Sequence, residues 1–124
     1  MANPAPGWEK HPNHRVDITP HDGTVTVRAG DVVIAQSTEA YQVAESRHDT
    51  CWYLPIGDVD TKNLTDSETQ TYCPFKGYAS YKHIGASDTL IEDALWIYAD
   101  PFDECLTLKG YASFYTSKVD VQVA

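Results

Sequence analysis

Short runs of alternating apolar and polar residues fill most of this 124-residue chain and are separated by tight polar turns. Val16 and Ile18 alternate with polar neighbours, a His-Asp-Gly turn follows at 21–23, and residues 24–28 alternate again. A period of two is typical of strands with one buried face, and such turns favour antiparallel neighbours. Helical periodicity is not sustained over any long stretch. The pattern therefore predicts an all-β, antiparallel domain with at most short helical turns.

The chain divides into an arm and one domain. Residues 1–13 carry Pro4, Pro6 and Pro12, which predicts a flexible N-terminal arm. Residues 14–124 are long enough to form a single β domain with its own core. Four local predictions follow from the same signals: a strand over 38–46, a polar connecting loop over 60–70, a hairpin turn at 85–88 and a helical turn opened by Asp100. Over 38–46 one helical turn is the alternative, and the β pattern on both sides favours the strand.

Charge and cysteine usage narrow the classes of function. Eighteen Asp and Glu against nine Lys and Arg give a net charge of −9, which disfavours binding to nucleic acid or to an anionic membrane. Three cysteines without a C-x-x-C pair indicate neither a disulfide framework nor a zinc site. Neither a membrane-spanning apolar run nor a signal peptide is recognisable. We therefore expect a cytoplasmic monomer or weak homodimer without metal or other cofactor.

A near repeat provides the strongest indication of a site. The segment Lys-Gly-Tyr-Ala-Ser-Tyr at 76–81 recurs as Lys-Gly-Tyr-Ala-Ser-Phe at 109–114. On strand spacing, three sets of small and large side chains each share a face: Gly77, Ala79 and Tyr81; Ala94, Trp96 and Tyr98; Gly110, Ala112 and Phe114. Small residues leave space in front of a sheet, and the aromatic rings form the sides of that space. This arrangement predicts an aromatic pocket. The alternative is that the rings interlock as the core.

Polar groups that could act in this pocket are also identifiable. Cys73 and Lys76 are the candidate catalytic residues, because an ammonium nearby can lower the pKa of a thiol. Strand alternation places Lys76 with Tyr78, on the face opposite Tyr81. The alternatives are that Cys73 is a small buried apolar residue and that Lys76 is a solvated lysine. The predicted ligand-binding residues are Glu45, Tyr53, Lys76, Tyr81, Trp96, Tyr98 and Phe114.

Several of these residues also carry a family resemblance. The residues concerned are Tyr53-Leu54-Pro55, Asp58-Val59, Thr71, Cys73-Pro74-Phe75-Lys76-Gly77, Ala79, Tyr81, Trp96, Tyr98, Pro101 and Phe114-Tyr115. From about Arg15 to its C-terminus, the chain resembles the family called domain of unknown function 427. The resemblance implies a β-tent, two antiparallel sheets pinned at one end, here by packing because the cysteine pairs that bind zinc in other tent folds are missing. The family that the chain resembles also carries a nucleotidyltransferase-like label, although this sequence shows no phosphate-binding loop. Ile56 stands where members of the family often have a basic residue.

Three functions remain open from the sequence. The first is a binding module for a small organic ligand held in the aromatic pocket, with Lys76 and Glu45 as polar anchors. The second is an enzyme that uses Cys73 or Lys76 on a nucleotide or another small molecule. The third is an interaction domain whose aromatic face docks on a partner protein.

Overall fold

The computed structural model describes residues 2–86 and 88–124, and over these ranges the chain forms two antiparallel sheets. The large sheet contains seven strands in the order β1 (Val16–Pro20), β4 (Tyr41–Glu45), β5 (Cys51–Pro55), β9 (Tyr111–Phe114), β8 (Thr89–Ile97), β7 (Gly77–Ala86) and β6 (Leu64–Cys73). The small sheet contains β10 (Asp120–Val123), β2 (Val25–Ala29) and β3 (Val32–Ser37). The predicted all-β, two-sheet architecture is confirmed.

Helical structure is confined to short segments. A four-residue helix, α1 (Gly7–Lys10), precedes the strands, and single 3-10 segments occupy Ile56–Asp58, Thr61–Asn63 and Asp103–Leu108. The large sheet ends in β1 on one side and β6 on the other, so over the described ranges it stays open and forms no closed barrel. Within the same ranges, none of the helices has the length and hydrophobicity that a membrane crossing requires.

Two of the four local predictions hold and two are wrong. The strand over 38–46 is present as β4, and the hairpin at 85–88 is present as the β7–β8 connection, of which Ser87 lies outside the described residues. The loop over 60–70 is wrong, because Leu64–Cys73 is an edge strand whose side chains are mostly exposed, which permits polar residues. The helical turn begins at Asp103 instead of Asp100, since the N–H of Phe102 donates to the carbonyl of Lys76 at 2.9 Å.

Two apolar clusters lie on opposite faces of the large sheet. The first cluster combines residues of both sheets, such as Val27 and Ile34 from the small sheet and Leu54 from the large one. The second cluster contains Tyr53 and Tyr81 together with other side chains from the large sheet and from 103–108. Tyr53 and Leu54 are neighbours on β5 but belong to different clusters, as the pleat of a strand requires. One face of the large sheet therefore packs on the small sheet, and the other face is aromatic.

The N-terminal segment packs against the aromatic side of the domain. The N–H of Ala5 donates to Glu104 Oε1 at 2.8 Å, and the N–H of Gly7 donates to the carbonyl of Pro74 at 3.0 Å. The ring of Trp8 lies edge-on to that of Phe75, with centroids 4.8 Å apart. Residues predicted to form a loose arm thus make defined contacts, and Met1 lies outside the described residues. The division of the chain at residue 13 stays a prediction.

Gly77 provides a test of how the start of β7 is held. Its φ of +123° is rarely adopted by other residues, and an added Cβ would lie 3.4 Å from the carbonyl oxygen of Asp100. We expect Gly77→Ala to lower the free energy of unfolding by about 1–3 kcal/mol, measured by urea denaturation. Gly57→Ala is the matched control, because a Cβ there meets no atom of the described residues within 4 Å. Equal losses in both variants would contradict this account.

Candidate functional site

A cavity of about 550 Å³ lies on the aromatic side of the large sheet. Its lining includes every residue that the sequence analysis proposed for a site: Glu45, Tyr53, Cys73, Lys76, Tyr81, Trp96, Tyr98 and Phe114. Residues from separate strands therefore surround one space, and Tyr53, Tyr81 and Tyr98 also belong to the buried aromatic cluster. Their roles in binding or catalysis stay predictions.

The rings around this cavity hold one another in place. Trp96 Nε1 donates a hydrogen bond to Tyr53 Oη at 3.0 Å, and the two ring planes are nearly perpendicular. Tyr115 lies against Trp96, with centroids 4.7 Å apart, and its hydroxyl donates to that of Tyr81 at 3.4 Å. Cross-strand register explains the grouping, because Tyr81 pairs with Trp96 across β7 and β8. The cavity walls are therefore fixed before any ligand enters.

Burial determines what the tyrosine hydroxyls can do. Removal from water raises the pKa of Tyr53 and of Tyr98 well above the ordinary value. Burial, together with the hydrogen bond to Tyr81, raises the pKa of Tyr115 to about 12. These phenols therefore stay neutral near pH 7 and act as hydrogen-bonding groups rather than as bases.

The prediction that Ala112 and Phe114 share a face with the pocket rings is wrong. Both side chains belong to the cluster between the two sheets, and Phe114 borders the cavity from there. Tyr115, one residue further on, joins the aromatic cluster instead. Equivalent residues of the near-identical segments 76–81 and 109–114 therefore lie on opposite faces of the large sheet, because each strand enters the sheet in its own register. The same correction applies to Ala94, which packs between the sheets, unlike Trp96 and Tyr98.

A buried ion pair forms one wall of the cavity. Lys76 Nζ donates to Glu45 Oε1, and the two side chains are only 5% and 10% exposed. The predicted position of Lys76 beside exposed Tyr78 is wrong, because β7 begins one residue later and strand alternation does not extend to Lys76. Glu45 Oε2 lies 2.8 Å from His14 Nε2, and His48 Nε2 approaches to 4.0 Å. Both carboxylate oxygens are therefore engaged.

These partners control the charge of Glu45. Burial alone would raise the pKa of this carboxyl group, but the hydrogen bond and charge of Lys76 outweigh it, with smaller contributions from His14 and His48. The pKa therefore lies below its ordinary value of 4.5. Glu45 is consequently an anion at neutral pH and compensates the ammonium of Lys76.

His14 and Phe75 are parts of the cavity wall that were not predicted from the sequence. Their rings stack with centroids 3.8 Å apart and planes inclined by 13°, and both line the cavity. Phe75 follows Cys73-Pro74 in the turn before β7, whereas His14 arrives from the N-terminal segment. Only the tertiary fold brings them together, so no local pattern in the sequence could have indicated this contact.

The three thiols differ in access and acidity. Cys73 and Cys51 are half-buried and line the cavity, whereas Cys105 is buried in the aromatic cluster. Burial raises the pKa of Cys105 to about 11 and also raises that of Cys51. No group of three or more His, Cys, Asp or Glu within 2–86 and 88–124 is arranged to hold a metal ion.

Fold and site together define a small all-β domain with an aromatic cavity bordered by a buried ion pair. The chain belongs to the family described as domain of unknown function (DUF427), whose family model matches residues 17–124. The resemblance inferred from the Cys-Pro-Phe-Lys-Gly segment and its neighbours is thereby confirmed. No curated protein matches the chain.

The ion pair leads to a pH-dependent prediction. A carboxyl group with a lowered folded-state pKa stabilises the fold above its ordinary pKa of 4.5, and the contribution is lost as the pH falls through the folded-state value. We expect Glu45→Gln to cost about 3 kcal/mol near pH 7, since it leaves the Lys76 ammonium buried and unpaired. Near pH 3, which is below the ordinary pKa of 4.5, the unfolded chain binds a proton at Glu45, so the difference from wild type should shrink.

Urea unfolding at the two pH values measures this difference. Glu68→Gln is the matched control, because Glu68 is exposed and forms no ion pair among the described residues, and its effect should be near zero at both pH values. A cost for Glu45→Gln that does not change with pH would contradict the assigned charge state.

Proposed function

We propose that this protein binds a small organic ligand with a planar, aromatic body in the cavity of the large sheet. The observation that carries the proposal is a space of about 550 Å³ walled by rings from separate strands. Small-molecule sites have volumes of roughly 300–1,000 Å³ and are lined mainly by apolar and aromatic side chains. Tyr53, Trp96 and Tyr115 already hold one another by hydrogen bonding and ring contacts, so little ordering is needed on binding.

Polar anchors for such a ligand are present in the same wall. An ammonium has three N–H donors, and Lys76 uses one of them on Glu45. A ligand acceptor in the cavity can take another, and the neutral tyrosine hydroxyls supply further hydrogen bonds. Because Glu45 balances the charge of Lys76, this wall favours a neutral polar group over a strongly anionic one.

An enzymatic role for Cys73 and Lys76 is the second candidate. Cys73 lines the cavity, and the N–H of Lys76 donates to the carbonyl oxygen of Cys73 at 3.3 Å, so both residues belong to one turn. A thiolate there could attack an electrophilic centre on a bound substrate while the bond from that centre to its leaving group breaks, with the ammonium stabilising the negative charge that develops on the leaving group. Nucleotidyl transfer is the activity that the family resemblance implies, and it belongs to this candidate.

A role in protein interaction is the third candidate. Tyr72 and Tyr78 are 48% and 60% exposed, and their rings lie 4.9 Å apart, with Tyr72 also lining the cavity. A pair of exposed rings can contact a partner protein. We place the protein in the cytoplasm as a monomer or weak homodimer, which agrees with its three free thiols. Binding of nucleic acid or of an anionic membrane is not part of the proposal, given the net charge of −9.

Ligand binding can be tested by obstructing the cavity. A ligand-observed NMR screen of one- and two-ring aromatic fragments should find binders to the wild-type protein. Thr50 is exposed and lines the cavity, so Thr50→Trp should occupy part of it and weaken binding about tenfold or more. Thr38→Trp is the matched control, because Thr38 is exposed and lines neither cavity described here. A screen without binders, or equal binding by both variants, would count against the proposal.

Thiol labelling tests the enzymatic candidate. We expect iodoacetamide near pH 8 to modify Cys73 before Cys51 and Cys105, because burial raises the pKa of the latter two thiols. Mass spectrometry of the digested protein measures the order of modification. In Cys73→Ala the fast phase should disappear. If Cys73 reacts no faster than buried Cys105, its thiol is inaccessible and this candidate function is lost.

A further inference from the structure

A second cleft, of about 540 Å³, opens beside the aromatic cavity. Five of its nine lining residues have basic side chains, and none has an acidic one. The basic residues are Lys10, His11, His14, Arg47 and His48. They come from the N-terminal segment and from the turn between β4 and β5, which the fold brings together.

This concentration of basic residues contrasts with the rest of the chain. The protein has eighteen Asp and Glu and only nine Lys and Arg, and Arg15, Lys62 and Lys82 each pair with a carboxylate. Among the residues that the structure describes, no carboxylate pairs with Lys10 or Arg47. Two cations therefore face a cleft without a counter-charge, and the cleft attracts anions although the protein as a whole repels them.

The cleft and the aromatic cavity are adjacent. Both are lined by His14, His48 and Phe75, so the two spaces share a border across which one molecule can lie. Glu45 and Asp49 line the aromatic cavity but not the cleft. In the aromatic cavity Lys76 balances Glu45, which leaves the negative charge of Asp49 to disfavour an anionic group there, whereas Lys10 and Arg47 attract one into the cleft. The charges thus give a ligand only one favourable orientation.

We propose that the ligand is a phosphorylated aromatic compound, with its ring in the aromatic cavity and its phosphate in the basic cleft. The inference rests on the proposed function and adds the chemical class of the ligand. A phosphate monoester carries nearly two negative charges at neutral pH and matches the two permanent cations of the cleft. The guanidinium of Arg47 can also donate two parallel hydrogen bonds to phosphate oxygens.

Three probes separate the contributions of ring and phosphate: 1-naphthyl phosphate, 1-naphthol and inorganic phosphate, each titrated by calorimetry at low salt. We expect 1-naphthyl phosphate to bind about tenfold or more tightly than either of the other probes, because it makes both sets of contacts. Arg47→Gln should weaken its binding about tenfold and leave 1-naphthol unaffected. Added salt should reduce the difference between 1-naphthyl phosphate and 1-naphthol.

Arg15→Gln is the matched control. Arg15 is exposed, lines neither cavity and carries the same charge, so affinity for all three probes should stay at the wild-type value. If 1-naphthol binds as tightly as 1-naphthyl phosphate, or if both arginine variants weaken binding equally, the inference is overturned. The proposal that the aromatic cavity binds a ligand is then unaffected. If 1-naphthol does not bind and 1-naphthyl phosphate binds no better than inorganic phosphate, both the inference and the proposed function are overturned.

Discussion

The buried ion pair between Lys76 and Glu45 is the interaction on which the site depends. It joins the turn before β7 to the end of β4, two strands that are not neighbours in the large sheet. Glu45 also contacts His14, whose ring stacks on Phe75. Removing either charge leaves the other buried, which is far more costly than losing a surface pair. The ion pair therefore fixes the N-terminal segment, the Cys-Pro-Phe turn and the cavity wall relative to one another.

Local periodicity was sufficient to predict the class of fold. The strands β2 and β9 were predicted from the alternation of apolar and polar residues. The periodicity of the stretch that forms β4 fits a strand or one helical turn, and the β pattern on both sides favoured the strand. The strand β6 could not be predicted in this way, since its side chains are mostly exposed. A polar strand at a sheet edge and a polar loop have the same composition, and only pairing with β7 distinguishes them.

The residues that line the candidate site were predicted from the sequence, but their arrangement was not. Glu45, Tyr53, Tyr81 and Trp96 do line one cavity. Buried charges and the polar atoms of Tyr and Trp need hydrogen-bonding partners, which makes such residues good candidates for a site. The face of Phe114 and the burial of Lys76 were misjudged, since both depend on where a strand begins and how it enters the sheet. The basic cleft was not predicted, because it combines residues 10–14 and 46–48, two segments that are distant in sequence.

The open large sheet has a consequence for association between molecules. Its outer strands leave backbone hydrogen-bonding groups unpaired on one side, and such edges can template the addition of a foreign strand. Here β6 carries Asp66 and Glu68 along its exposed length, and β1 ends in Pro20, which lacks an N–H. The same polar composition that disguises β6 in the sequence thus protects the protein against edge-to-edge aggregation.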